Sequence, residues 1–423
     1  MISILKKIMG NKTIYIVILI AILYIPSAIY LPAESNRRLV VAAVGLDKEQ
    51  NEIEVSLLMV IPKSSGNVGN NYQLISRTGE NLASALKKIG IATGKEVSFA
   101  HCEMVIVSNG ILENDLATYL DFFIRSNNLT SNADLVASEN AKETLHANML
   151  FATEYSITLK DIFTNDKKIT GATNLNIDSF FKSYLNEGNC FFIPFIKIDK
   201  PSNESAGSSS SENSGSSGGG NESENTSGAS GEGEAGSNNG KNKIVSYDGS
   251  YLILKDGKNI AYLDGSSNLG YLAINPNVKK GVFQIENVTD TQYNNSTLNF
   301  EILEKKIKKD IQFIDNKPFV TYNIFLFIKL EEIFSEPFNK NSLNTVKTII
   351  HKPTLDKLTE TIDSSISNLL KISKENKVDV FNVINDSCAH CYTNYKNYLN
   401  SKPKEDLIND AIVVCNYEFA VRN

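Results

Sequence analysis

Between Pro201 and Gly240 the chain is dominated by Ser, Gly, Asn and Glu, with six Glu, no Lys or Arg, and no aliphatic side chain larger than Ala. Such a stretch cannot bury a core: ordering it costs ~1–2 kcal/mol per residue, with no apolar surface to offset that. It reads as a flexible linker over 201–243, so whatever folds must fold before it or after it. As a Gly/Ser-type coil of ~5–6 Å × √n, its ends are expected on the order of 35 Å apart. That span suits either two units set side by side or a long surface loop.

The other segment set apart by composition is at the N-terminus. Thr13 to Ala33 carries no charge, and Ile14 to Ile25 is almost wholly aliphatic. That approaches the ~20 apolar residues a helix needs to cross a bilayer. Lys6, Lys7 and Lys12 precede the run, and positive flanks stay in the cytoplasm, so the rest of the chain is expected outside. An anchor, a cleaved signal peptide and a lipoprotein signal are the forms such a segment takes. No cysteine follows it until Cys102, which rules out acylation at a lipoprotein-type cysteine. Pro26-Ser27-Ala28 and Leu31-Pro32-Ala33 lack the small residue at both positions a signal cleavage site needs. Residues 1–34 therefore read as an uncleaved transmembrane anchor.

The folded parts are expected at 35–200, 244–290 and 291–423. Leu39 to Ile61 reads as two strands turning at Asp47–Asn51, with Ile53, Val55, Leu57, Met59 and Ile61 at the period-2 spacing of a half-buried strand. Leu82, Ala85, Leu86 and Ile89 share one side of a helix that ends at Gly90 or Gly94. Glu103 to Val107 is a short apolar strand, and Leu116, Leu120, Phe123 and Ile124 recur at helical spacing. The order strand, strand, helix, strand, helix implies an α+β or α/β arrangement. Past the linker, Tyr251–Leu254 and Ile260–Leu263 flank the turn dipeptide Asp256-Gly257, a hairpin signal. Val282–Ile285 begins a strand and Phe319–Leu330 reads as a central one. Pro353 suits a first helical turn, with Leu355, Leu358, Ile362, Ile366 and Leu369 along one face. A strand from Ala411 to Cys415 or beyond closes the chain. The fold class is α+β, in several mixed α/β units beyond the membrane.

Few residues suggest chemistry. The net charge is −6, and the basic residues gather nowhere, which argues against a nucleic-acid partner. Five cysteines, an odd count, exclude a complete disulfide framework. His101-Cys102-Glu103 sets an imidazole beside a thiol, but neighbours on an extended chain point to opposite faces, so this His is poorly placed to deprotonate this Cys. Cys388-Ala-His-Cys391 has the spacing of a redox dithiol or half of a zinc site. Its further ligands would have to come from the isolated Cys415 and His351, and a local disulfide or plain thiols remain open. No nucleophile elbow, phosphate loop or paired zinc-ligand helix occurs. No catalytic, cofactor-binding or metal residue is assigned, and the chain reads as non-enzymatic.

The N-terminal half nevertheless resembles a known family. Val44-Gly-Leu-Asp-Lys48, Gly79 with Leu82 and Ala85, Ser98-Phe-Ala-His101 leading into Glu103-Met-Val-Ile-Val107, Leu120-Asp-Phe-Phe-Ile-Arg125 and Val136 to Leu145 are similar, in order and spacing, to segments of the Ger(x)C family, the C subunits of spore germinant receptors. Tyr251–Lys255, Tyr262-Leu263, Gly270-Tyr-Leu272 and Lys377-Val-Asp379 extend the likeness across residues 40–400. The resemblance implies a three-domain mixed α/β protein outside the spore's inner membrane, working with two membrane-embedded partners, the A and B subunits. It brings no catalytic residue. His101 and Arg125 match recurrent positions and are taken as structural. Family members usually carry a lipid-modified cysteine soon after the signal, and here that place offers only Ser27 to Ala33.

Overall fold

A computed structural model describes residues 38–61, 71–125, 132–147, 175–186, 188, 190–199, 244–265, 268–278, 280–288, 296–334 and 350–422. The expected anchor and the body of the expected linker lie outside these.

The chain opens with β1 (Arg38–Glu49), β2 (Glu52–Ile61) and β3 (Asn71–Gly79), then α1 (Leu82–Thr93), β4 (Glu96–Ser98), β5 (Met104–Ser108), α2 (Asn109–Leu112) and α3 (Leu116–Arg125). Next come β6 (Asp134–Ser138), α4 (Ala141–His146), β7 (Leu175–Asn176), α5 (Ile177–Tyr184) and β8 (Cys190–Asp199). After the gap follow β9 (Ile244–Ser246), β10 (Tyr251–Lys255) and β11 (Lys258–Leu263). These eleven strands form one mixed sheet with the path β11-β10-β8-β6-β5-β1-β2-β3. β1, β5, β6 and β8 run parallel. Their burial on both faces explains why β5 reads as an unbroken apolar run rather than an alternating one.

One face of this sheet is covered by α1, α3 and α5, whose Leu86, Ile89, Leu120, Phe123 and Phe180 pack against Val44, Leu46, Val55 and Leu57. The other carries α4, whose Ala141 and Leu145 meet Ala43, Leu58, Met104 and Ile106. α4 can dock so closely because Gly45 has no side chain: a Cβ there would stand 2.9 Å from Leu145 Cδ1. Two residues on, the buried Asp47 carboxylate accepts the N–H groups of Ala141 and Lys142, both at 2.8 Å. Burial pushes the Asp47 carboxyl above its ordinary range against the pull of those N–H groups.

The chain crosses to a second sheet through α6 (Leu269–Ile274). Then follow β12 (Gly281–Val288), the long hairpin β13 (Ser296–Ile314) and β14 (Lys317–Phe334), and helices α7 (Lys352–Glu375), α8 (Val383–His390), α9 (Tyr392–Leu399) and α10 (Asp406–Asp410). β15 (Ile412–Arg422) lies parallel to β14 and completes the order β12-β13-β14-β15. Leu298, Phe300 and Ile302 of β13 and Ile324, Leu326 and Ile328 of β14 face Leu358, Ile362, Ile366 and Leu369 of α7. Asp379 repeats the Asp47 device: its buried carboxylate accepts the N–H groups of Val383 (2.6 Å) and Ile384 (2.7 Å) and docks α8.

Most expected elements are present, with α1 ending at Thr93 before Gly94. β3 and β4 stand where the expected order had none, and β13 was not foreseen. Within 244–290, β9 to β11 extend the first sheet and β12 opens the second. The residues that flank the Ser/Gly/Glu-rich stretch belong to one sheet. β8 and β9 are antiparallel neighbours with Asp199 opposite Ile244. The chain therefore leaves the sheet at 199 and rejoins it at 244 about one strand spacing away, ~5 Å.

Two outcomes follow. Replacing residues 200–243 by Asn-Gly should leave the fold intact and raise stability by about 2–3 kcal/mol in denaturant titration, because a shorter loop costs less to close. Unfolding or a lower midpoint would contradict the hairpin. Asp47→Ala should cost about 2–4 kcal/mol by orphaning two N–H donors, with Asp47→Asn recovering part of it; a change below about 0.5 kcal/mol would show that the carboxylate does not dock α4.

Candidate functional site

A depression with an apolar floor lies where β1 turns into β2. It encloses about 640 Å³. Its floor is Ile53 of β2, Leu82 of α1, and Tyr119 and Phe122 of α3; its rim carries Lys48, Glu52, Glu80, Asp121 and Arg125. The local sequence explains the arrangement. Leu116, Leu120 and Phe123 fill the core at 4,3 spacing, which leaves Tyr119 and Phe122 half-buried on the flank of α3. Phe122 stands edge-on to Phe123, with centroids 5.7 Å apart, and Phe123 does the same to Phe99 at 5.5 Å. The start of α1 is fixed by a reciprocal cap: Asn81 Oδ1 accepts the Ser84 N–H at 2.9 Å, and Ser84 Oγ accepts the Asn81 N–H at 3.2 Å. Arg125 Nε donates to Asp121 Oδ2 at 2.6 Å across one turn. An aromatic floor inside a rim of both charge signs suits an amphipathic ligand or a partner's side chains. It offers no nucleophile paired with a base.

A second cavity, about 570 Å³, lies in the seam between the sheets, lined in part by Cys190, Phe192, Tyr271, Lys309 and Tyr322. Phe192 and Tyr271 stack across the seam with centroids 3.8 Å apart. Lys309 Nζ pairs with Asp386 and donates to the Phe381 carbonyl. Burial pushes the Tyr322 phenol well above its ordinary range, and the phenol donates to the Phe381 carbonyl at 3.3 Å.

The residues singled out in the sequence do not assemble into one site. Arg125 is on the groove rim. His101 is exposed in a turn closed by backbone, Cys102 N–H to Phe99 O at 2.9 Å. Cys102 is buried, its thiol donates to the Met104 carbonyl at 3.4 Å, and burial pushes its pKa up to about 12. Imidazole and thiol thus face different surroundings. Cys388 and Cys391 are free thiols. Cys391 donates to the Ile311 carbonyl at 3.3 Å, and Cys388 lies half-buried against the second core. Among the described residues no group of three or more His, Cys, Asp or Glu is placed to hold a metal. The groove residues Glu52, Glu80 and Tyr119 were not singled out, and Phe122 entered only as part of the Leu120–Arg125 likeness. Their only signal was Tyr119 and Phe122 flanking the apolar face of a helix, which core packing alone would also produce.

The crystal structure of the GerBC protein matches this chain with a TM-score of 0.49 and 14% identity, covering 90% of this chain and 97% of that one. A search of curated proteins returns no match. Two family profiles match in succession: the spore germination protein N-terminal domain over residues 32–198, and the spore germination B3/GerAC-like C-terminal domain over 248–423. Together they span nearly all of the chain outside its N-terminal segment and the Ser/Gly/Glu-rich insertion, and the chain belongs to the Ger(x)C family of spore germination proteins.

Proposed function

We propose that this chain is the extracytoplasmic C-type subunit of a spore germinant receptor, held in the membrane by a helix over Thr13–Ala33 and acting by contact with the A and B membrane subunits. The observation that carries this reading is the succession of both family domains along one chain. Among the described residues no helix is long and apolar enough to cross a membrane, so the anchor rests on residues 13–33 alone. The geometry is compatible with it. β1 begins at Arg38, just past that segment, and the β1–β2 turn with its groove lies at the far end of β1, roughly 35 Å away at 3.3 Å per residue. The Arg38 end of the sheet would then face the bilayer and the groove would face away from it. The mechanism is recognition and transmission between subunits, with no bond chemistry.

A second reading, an anchored envelope protein that binds a solute or wall component, is favoured by one observation, the aromatic-floored groove. Three measurements bear on these readings. Spores lacking the gene should lose or slow their response to at least one defined nutrient; a normal response to every nutrient would remove the receptor reading. The mass of the mature protein should include Thr13–Ala33, and a chain starting between Ser27 and Glu34 would overturn the anchor. Tyr119→Ala with Phe122→Ala should leave folding intact and impair germination if the groove contacts a partner or ligand of the receptor. Unimpaired germination would take the groove out of the mechanism.

A further inference from the structure

Lys305 is nine-tenths buried beneath the joint between the two sheets. Its Nζ donates to the carbonyls of Leu272 and, at 2.8 Å, Asn275, the C-terminal end of α6. α6 holds both halves. Tyr271 stacks on Phe192 of β8 and meets Tyr251 of β10 edge-on, with centroids 5.2 Å apart, while Asn268 donates to the Gly249 carbonyl. On the other side the Gly270 N–H donates to Ser365 Oγ of α7 at 2.7 Å, and a Cβ at Gly270 would collide with the Ile366 backbone at 2.6 Å. Lys305 is therefore the second sheet's polar grip on the helix by which, among the described residues, the chain passes between the sheets.

That ammonium has no carboxylate partner among the described residues. Apart from the Tyr271 phenol, α6 and the turn Asn275–Val278 carry no ionisable side chain, and none that is acidic or basic. β14 sets Leu326 opposite Lys305, flanked by Ile324 and Ile328. On its own strand Glu304 and Lys306 are exposed, and Lys309 is engaged with Asp386. From β12, Lys280 just before the strand and Glu286 within it are exposed. On α7 the residues facing inward are Leu358, Ile362 and Ile366; Glu360 pairs with Lys357, and Asp363 accepts from Tyr417. A charge removed from water without a counter-charge is costly. The carbonyl dipoles at a helix C-terminus offset part of that cost.

We propose that Lys305 is a proton-controlled latch on α6: the protonated side chain favours opening of the joint between the two sheets, and loss of the proton closes it. The sign follows from linkage. Burial depresses the folded-state pKa to about 7, whereas in an opened joint the amine returns to water and its ordinary value near 10.4. Below about pH 7 both states hold the proton and the opening equilibrium is flat. Above it, opening must take up a proton, so it becomes rarer by about tenfold per pH unit until the wetted amine itself titrates.

Hydrogen exchange on the full chain in detergent micelles tests this, read on a peptide covering Leu269–Val278 between pH 6 and 9 and corrected for the intrinsic rate. Protection should be flat up to about pH 7 and then rise about tenfold per unit, with β2 (Glu52–Ile61) as a reference that does not follow. Lys305→Met should abolish the rise, and Lys305→Arg, which cannot lose its proton, should keep protection flat at its low-pH level throughout. A flat wild-type profile overturns the latch whether or not the variants fold, and so does a rise that persists in Lys305→Met. The outcome is independent of the receptor reading, which germination assays decide.

Discussion

The arrangement of the molecule depends on six residues of helix. Everything from β1 to β11 belongs to one sheet and everything from β12 to β15 to another, and α6 is the segment between them. Its aromatic ring enters the first half's core, its glycine allows backbone contact with the second half's long helix, and its carbonyl end is held by a lysine. A helix this short has little stability of its own. It exists because both sheets pack on it, so any movement between them must first disturb it.

The residues that carry the family likeness do structural work of one kind. Gly45 and Asp47 bring α4 onto the sheet, the first by leaving room and the second by holding two N–H groups. Asp379 does the same for α8. Each is a backbone donor satisfied by a buried carboxylate where a surface helix would have used water or a local cap. Gly45, Asp47 and Asp379 therefore specify how helices lie on sheets. The groove draws on the same segments: Phe122 and Arg125 belong to the Leu120–Arg125 segment and Lys48 ends the Val44–Lys48 one, while Tyr119 lies just outside.

Much of the fold was legible because burial imposes a period. α3 and α7 keep 3 and 4 spacing and lie where their patterns place them, whereas β2 is present but buried on both faces, Glu54, Ser56 and Leu58 included, and not on one as its alternation suggested. β13 was hidden because its Lys305, Lys306, Lys308 and Lys309 look like a solvated charge run. In the structure this strand alternates, with two of those lysines turned inward and stretched toward backbone carbonyls. β3 was hidden because Asn71–Gly79 is largely half-exposed at the sheet's edge and its polar residues blur the alternation. The groove was invisible for another reason. It is made by a hairpin turn and two helices distant in sequence, and no spacing along one element reports their meeting. The cysteine pairs read the same way: adjacency along the chain at 101–102 and 388–391 suggested reactions that the burial of one partner and the separate hydrogen bonding of another do not support.

The insertion between β8 and β9 bears on more than loop length. Because it departs from and rejoins adjoining strands, it supplies no second covalent route between the halves, and the backbone crosses from one sheet to the other once. The molecule is mechanically a two-body linkage in series. A load applied at the Arg38 end reaches β15 along the covalent chain through the segment containing α6, and otherwise across noncovalent contacts such as that of Lys255 Nζ with the Lys377 carbonyl, so α6 is where covalent and packed routes meet.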